Sequence, residues 1–270
     1  MSIIRIAGGF ALAACCLWSQ GFDPGCKLPF DALKTEGLDI DANCTIDGGA
    51  APGDTGKKLE SNAKNNFCAK GKPTTILYSA FTKLQGLSDQ QDGLKAALKE
   101  SRDVLADLLK LPSGRKVGEG TLVQYVGFLL SAHNSNVSKG ELVNCKTKGK
   151  PANDIHIELV KTAGEEDECN GVTAEMSPHF RPESWGELVG MTIKRPVRIT
   201  GPLFFDGSHA PCHDNVRPKP NRISVWEIHP LYKFDVCKNT TLAGCKAEAD
   251  VWIPLDEWNS HAEEVDAGGQ

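Results

Sequence analysis

Two long segments in which apolar and polar residues alternate, 195–206 and 222–236, constrain the fold more than any other feature of the sequence. Alternation with a period of two places apolar side chains on one face of an extended strand, so both segments predict β-strands. Three earlier runs, 121–132, 153–160 and 171–177, follow the same pattern. The chain is therefore expected to contain at least five strands in its second half.

The order of these elements indicates the fold class. A short helix is predicted at 183–189, between the third and fourth runs. The order strand, strand, strand, helix, strand, strand is that of the OB-fold, a five-stranded Greek-key barrel. Gly127 and Gly201 lie inside long runs, where such a barrel needs its strands to bend. We therefore predict a mainly β chain with helices (α+β), an OB-fold-like barrel, with a small sandwich as the alternative.

The polar, Gly-rich region before the barrel predicts a loop-rich, partly helical N-terminal segment that is stapled by disulfides. A helix is expected from Ser88, because Ser88 and Gln91 match a capping box and leucines share one face as far as Pro112. The predicted organisation has four parts: a signal peptide at 1–21, the N-terminal segment at 22–112, the barrel at 113–237 and a C-terminal extension at 238–270.

The first 21 residues have the form of a signal peptide, with Arg5 followed by a short apolar stretch. Cleavage after Gly21 predicts a secreted or periplasmic protein. The segment Leu12-Ala13-Ala14-Cys15 also resembles a bacterial lipobox, so a lipoprotein anchored at Cys15 is the alternative. No transmembrane helix is expected in the mature chain, because the apolar stretch is too short to span a bilayer.

Cysteine counting favours the soluble form. Cleavage after Gly21 leaves eight cysteines, an even number that suits an exported, disulfide-bonded protein, whereas lipidation at Cys15 leaves Cys16 as an unpaired ninth thiol. Short spacing predicts a Cys237–Cys245 disulfide and, next, a Cys145–Cys169 disulfide. A zinc cluster is disfavoured, because the mature chain has no Cys-x2-Cys pair.

OB-folds usually bind ligands between the loops that join strands one to two and four to five. Both loops are long here, and we call 133–152 the first long loop and 207–221 the second long loop. Both are rich in basic residues on a chain whose formal net charge is −5, which favours a polar or anionic ligand. Solvated lysines are the simpler alternative. The residues predicted to bind the ligand are Lys146, Lys148, His209, Arg217 and Arg222.

Strand parity predicts a second kind of site. Ile155, Ile157 and Leu159 are expected to face the barrel interior, which places Asp154, His156 and Glu158 together on the outer face. Glu175, Glu227 and His229 are expected on the same exterior. Carboxylates and imidazoles at i and i+2 suit zinc or manganese, although exposed strands also carry such residues without a metal. The predicted metal ligands are His156, Glu158, Glu227 and His229.

Several stretches resemble a group of exported bacterial proteins that share a Trp-Glu-Ile-His-Pro box. They are Asn65-Asn66-Phe67-Cys68-Ala69, NDIHIEL at 153–159, ECNGVTAEMSPHFRP at 168–182, RPVRITGPLFFDGSHAPC at 195–212 and RISVWEIHP at 222–230. The resemblance covers most of the chain. It implies export and a single barrel, and it brings no established activity.

Two functions fit these patterns, and the sequence leaves open whether the protein is an enzyme. The first is a non-catalytic binding or interaction module that uses both long loops. The alternative is a metal-dependent, nuclease-like phosphoester hydrolase with ligands from His156, Glu227 and His229. Direct nucleic-acid binding is disfavoured, because strands two and three carry acids and no aromatic stacking platform. A purely structural network of Arg222, Glu227 and His229 competes with both.

Overall fold

The computed structural model describes Phe22, Cys26 and residues 39–258. The expected signal peptide and Cys15 lie outside the described residues. The helices are α1 (Asp39–Asn43), α2 (Thr55–Lys64), α3 (Tyr78–Asp89) and α4 (Leu94–Ala97). The strands are β1 (Thr74–Thr75), β2 (Leu109–Lys110), β3 (Lys116–Val117), β4 (Leu122–Asn134), β5 (Ile155–Val160), β6 (Val172–Met176), β7 (Pro196–Phe205), β8 (Trp226–Ile228), β9 (Lys233–Cys237) and β10 (Trp252–Pro254). Within this described part, every helix is too short or too polar to cross a bilayer.

Five strands form a closed barrel in the order β4-β5-β6-β8-β7, and β7 pairs with β4 to complete the ring. The β6 and β8 pair is parallel, whereas the other four pairs of the ring are antiparallel. This is the strand order of an OB-fold, so the predicted fold class is confirmed. A 3-10 helix, Glu183–Leu188, lies between the third and fourth barrel strands, where the short helix is predicted.

The fifth predicted run, 222–236, forms two strands instead of one. Pro230 lies between β8 and β9, and it has no amide hydrogen to donate to a neighbouring strand. The long strand β7 pairs with both halves, through residues 203–205 with β8 and through 197–200 with β9. The sheet then extends beyond the barrel, because β10 pairs with β9 and β1 pairs with β4.

The predicted helix from Ser88 is wrong. Gly93 adopts a left-handed conformation with φ of 73°, and only the single turn of α4 follows it. Leu105 belongs to a 3-10 turn and Leu109 to β2, so the leucine spacing does not come from one helix. The long helix α3 ends where the predicted one begins, and it buries Phe81, Leu84 and Ser88 on one face.

The barrel interior and α3 share one hydrophobic core. Ile157, Ala174 and Ile228 point into the barrel and are fully buried. Phe81 and Leu84 of α3 belong to the same cluster of packed side chains. The helix therefore packs on the barrel as part of its core.

All eight cysteines that follow the predicted signal peptide are paired in four disulfides. The Cys237–Cys245 prediction is confirmed. The Cys145–Cys169 prediction is wrong, because Cys145 bonds to Cys44 and Cys169 bonds to Cys212. The other bond is Cys26–Cys68. A chain with this many disulfides is consistent with an oxidising, non-cytoplasmic compartment.

Replacing Gly201 with alanine is expected to lower the free energy of unfolding by about 1–3 kcal/mol. The added Cβ would clash with the backbone oxygen of Pro230 and lie 2.8 Å from Ile228 Cγ2, where β7 crosses the end of β8. Gly86→Ala is the matched control, since no neighbouring atom lies within 4 Å in the interior of α3. It is expected to raise stability by about 0.5–1 kcal/mol. Urea denaturation measures both, and equal effects would contradict the close approach at Gly201.

Candidate functional site

The polar side chains predicted on the barrel exterior do come together, but they are not exposed. Each is at most 7% exposed to solvent, so the predicted outer face of the barrel is covered by other parts of the chain. In the antiparallel register of β5 and β6, His156 lies opposite Glu175 and Glu158 lies opposite Thr173. The six residues that share this outer face or flank its strands are Asp154, His156, Glu158, Glu175, Glu227 and His229.

A segment from outside the barrel buries this face. We call residues 39–68 the covering segment, and its helix α2 ends over β6 and β8. The Lys64 ammonium lies 3.0 Å from Glu175 Oε2 and 3.9 Å from Glu227 Oε1. Just beyond α2, the hydroxyl of Tyr232 donates to the backbone oxygen of Asn66. The covering segment is therefore held to the barrel by buried polar contacts.

His229 links α2 to two carboxylates. Its Nδ1 lies 2.6 Å from the backbone oxygen of Lys64, one of the carbonyls that a helix end leaves without an intrahelical partner. Its Nε2 lies 3.1 Å from both Asp154 Oδ2 and Glu175 Oε2. Asp154, Glu175 and His229 each offer a ligand atom within 4.8 Å of the others, and we call them the triad.

A second group of charges surrounds Arg222, which is fully buried. Its Nη1 donates to Glu227 Oε2 at 3.0 Å and lies 3.9 Å from Asp206 Oδ2. Within the described residues, Arg222 Nε and Nη2 and Glu227 Oε1 have no hydrogen-bond partner. Opposite charges therefore lie next to each other in this group, although several of its polar atoms have no hydrogen bond. Such unpaired atoms are unusual among buried polar groups.

The two buried imidazoles hold their protons strongly. Burial alone would lower the pKa of His156, but the charge of Glu175, 2.6 Å from its Nε2, more than offsets this and raises the pKa to about 9. Burial likewise opposes protonation of His229, whereas its hydrogen bonds to Asp154 and Glu175 raise its pKa to about 10. Both imidazoles are therefore cationic at neutral pH.

Two buried carboxyls titrate near neutral pH instead. Burial is the main cause for both, and it raises the pKa of Glu158 to about 7. The pKa of Glu227 also rises to about 7, because burial and the nearby charge of Glu175 disfavour its ionised form. Shifted carboxyls of this kind occur both at catalytic sites and in structural ion networks.

An open pocket of about 630 Å³ lies directly above this face. Residues from both long loops and from α2 form its walls, while His156, Glu175 and Lys64 reach it from the buried cluster. The volume is in the range of small-molecule sites. The position between the two loops is also the usual ligand position of an OB-fold.

The five residues predicted to bind an anionic ligand do not lie together in the structure. His209 lines the pocket, whereas Lys146, Lys148 and Arg217 are not among its lining residues. Arg217 instead pairs with Asp167 at the surface, at 2.5 Å. Arg222 lies beneath the site, in its buried pair with Glu227.

The four predicted metal ligands also separate. His229 belongs to the triad, and His156 contacts it through Glu175. Glu227 is not part of the triad, and its Oε1 lies 3.9 Å from the Lys64 ammonium. Glu158 accepts a hydrogen bond from Thr173 at 2.9 Å and takes no part in the triad.

A hydrogen-bonded turn forms the pocket rim at the start of the second long loop. Asp206 is buried, and its Oδ2 lies 2.6 Å from His209 Nδ1. Ser208 donates from Oγ to the other Asp206 oxygen at 2.5 Å. Burial opposes the charge of Asp206, but its bond to His209 and the charge of Lys64 lower its pKa well below the ordinary value. Asp206 therefore orients His209 at the rim.

Sequence reasoning missed Lys64 as a site residue and passed over Asp154 as a metal ligand. Lys64 ends a helix whose residues are mostly polar, so no apolar stripe marks it as the covering element. Asp154 was placed on the correct face by strand parity. Asp154 immediately precedes β5 and shares the parity of His156, and this position could have identified it as a ligand.

Comparison of the chain with family models, with curated proteins and with solved structures finds no match.

Replacing Glu158 with glutamine is expected to stabilise the protein increasingly as pH rises. The folded-state pKa of about 7 exceeds the ordinary glutamate value of 4.5, so ionisation of Glu158 costs stability as pH rises through this interval. The difference in unfolding free energy between variant and wild type should grow by about 3 kcal/mol from pH 4.5 to pH 8.

Chemical denaturation at several pH values measures that difference. Glu166→Gln is the matched control, because Glu166 is exposed and its substitution should give a difference that changes little with pH. A pH-independent difference for Glu158→Gln would mean that Glu158 ionises in the folded protein as easily as in the unfolded chain.

Proposed function

We propose that the protein is a secreted or periplasmic binding protein that takes a small anionic ligand in the pocket between its two long loops. The observation that carries this proposal is the position of the pocket. Both loops line it above the face where OB-folds usually bind their ligands, and its walls include four lysines. These are Lys57, Lys64, Lys139 and Lys219.

The charges of the pocket support an anion. Its four wall carboxyls are Glu60, Glu141, Glu175 and Asp206. Three of these already face cations or imidazoles: Glu60 pairs with Lys57 at 2.6 Å, Glu175 with Lys64 and His156, and Asp206 with His209. Burial raises the pKa of the fourth, Glu141, so its charge is disfavoured.

Lys139 is the wall cation best placed to meet a ligand. It lies in the first long loop, and among the described residues no carboxylate lies within ion-pair distance of its ammonium. Lys219, on the opposite loop, has only a long contact of 3.9 Å with Glu168. An anion between the two loops would gain both charges.

Titration of the protein with inorganic pyrophosphate at low ionic strength tests this proposal. Wild type is expected to bind one equivalent, and Lys139→Ala and Lys219→Ala should each weaken binding about fivefold, because each loses about 1 kcal/mol of charge interaction. Lys146→Ala is the matched control, a loop lysine outside the pocket, and should bind as wild type does. No binding by wild type, or an equal loss in the control, would contradict the proposed pocket.

A second candidate function is metal-dependent hydrolysis of phosphoesters. The observation in its favour is the convergence of Asp154, Glu175 and His229 beneath the pocket. A divalent ion held there would polarise a phosphoryl oxygen of a bound ester, and Lys64 would stabilise the developing negative charge. Of the sequence-predicted ligands, only His229 is in this set.

Hydrolysis of bis(p-nitrophenyl) phosphate in the presence of manganese or zinc tests the second candidate. Turnover should require the metal, disappear with a chelator and fall at least about 100-fold in Glu175→Gln. Lys146→Ala again serves as the control that keeps full turnover. Absence of turnover with either metal would leave the protein as a binding module without this activity.

A further inference from the structure

We propose that Asp154, Glu175 and His229 form a binding site for one divalent cation of the zinc or manganese class, and that the Lys64 ammonium occupies this site when no metal is bound. The inference goes beyond the anion-binding function and does not depend on it. It concerns the floor of the pocket, where ligand atoms of three separate strand ends meet.

The hydrogen bond of His229 fixes which nitrogen is available. A backbone carbonyl can only accept, so His229 Nδ1 must donate its proton to the oxygen of Lys64, 2.6 Å away. The other nitrogen, Nε2, then faces the two carboxylates, and a metal ion that binds it would take the place of the Nε2 proton, which is released to solvent. Metal-bound histidines in proteins are commonly oriented in this way, with one ring nitrogen donating to a carbonyl and the other bound to the ion.

The spacing around Nε2 is close to that of a metal site. Asp154 Oδ2 and Glu175 Oε2 each lie 3.1 Å from it. Two ligands of a tetrahedral zinc ion, each bonded at about 2.0–2.1 Å, lie about 3.3 Å apart. The two nitrogen–oxygen distances therefore need to change by only a few tenths of an ångström around an ion, and ligand atoms of all three residues lie within 4.8 Å of one another. One nitrogen and two oxygens leave the fourth position open, as in zinc sites that bind a ligand.

The outer contacts hold the carboxylates in place. Asn144 donates from Nδ2 to Asp154 Oδ1 at 3.1 Å, which leaves Oδ2 directed at His229. His156 lies 2.6 Å from Glu175 Oε1, which leaves Oε2 directed at the same point. Each carboxylate thus uses one oxygen for its support and presents the other. Such supporting contacts strengthen metal sites.

A further, independent observation points to a cation at this place. Glu227 is fully buried, and its Oε1 has no hydrogen-bond partner among the described residues. That oxygen is 3.9 Å from the Lys64 ammonium, which itself lies 3.0 Å from Glu175 Oε2. The buried carboxylates around Lys64 therefore include an oxygen to which its ammonium makes no hydrogen bond.

Lys64 also provides a route for the ion. Its side chain is 15% exposed and, like Glu175, it lines the pocket. Withdrawal of this flexible side chain into the pocket would expose Glu175 Oε2 to an incoming ion. Lys64 and the metal then compete for one carboxylate oxygen, so removal of the ammonium should favour the metal.

Calorimetric titration of chelator-treated, tag-free protein with zinc chloride, and separately with manganese chloride, tests the site without any organic ligand. We expect one equivalent to bind to wild type and to bind at least about 10-fold more tightly to Lys64→Met, where the competing charge is gone. Lys57→Met is the matched control, a lysine of the same helix and the same pocket that is not near the triad, and should bind as wild type does.

Glu175→Gln and Asp154→Asn keep the side-chain shapes and should each weaken binding at least about 100-fold, since each removes a ligand charge. Circular dichroism and melting curves show whether each variant is folded. Because two different ligands are substituted, the test still holds if one of the two variants fails to fold. His213→Ala controls for adventitious binding at an exposed imidazole outside the pocket and should change nothing.

Failure of both wild type and Lys64→Met to bind either metal would overturn the site and leave Lys64 as its permanent cation. Binding that survives both ligand substitutions, or that is lost in His213→Ala, would place the ion elsewhere and equally overturn it. Because pyrophosphate is absent from these titrations, their failure is distinct from a failure of the anion-binding proposal.

Discussion

The ion pair between Lys64 and Glu175 is the contact on which the buried polar cluster of this structure depends. It brings the end of α2 onto the outer face of the barrel, and the Lys64 carbonyl adds a hydrogen bond to His229. Charges buried in this way gain little net stability, yet removal of one partner leaves the other uncompensated. The cluster thus joins the covering segment to the barrel and creates the pocket floor in the same step.

The barrel could be predicted because its information is local. Alternation along each run identified the strands, and their order together with the helix near Trp185 identified the OB-fold. Parity also placed His156, Glu175 and Glu227 on one face. The burial of that face could not be predicted, because it comes from residues 39–68, a polar segment whose sequence carries no sign that it packs on the barrel. An exposed strand face and a covered one look alike in the strand sequence.

The other errors have a local and a long-range origin. Leucines 94, 98 and 105 matched a helix, but one glycine at 93 in a left-handed conformation ends that pattern, and the chain then reaches the core through a 3-10 turn and a strand. Cys237 and Cys245 are neighbours in sequence and do pair. Cys145 pairs with Cys44 across 101 residues, a contact that only the packing of the covering segment produces.

Two of the disulfides hold the walls of the pocket. Cys44–Cys145 joins the covering segment to the first long loop, and Cys169–Cys212 ties the second long loop to the turn before β6. Both loops are thus ordered when the disulfides form during folding. A ligand that binds the pocket would not have to order them, so its affinity would not be lowered by a loss of loop entropy. The proposed ligand would therefore be selected by its fit to walls that are already fixed, and molecules too bulky for the pocket would be excluded by shape.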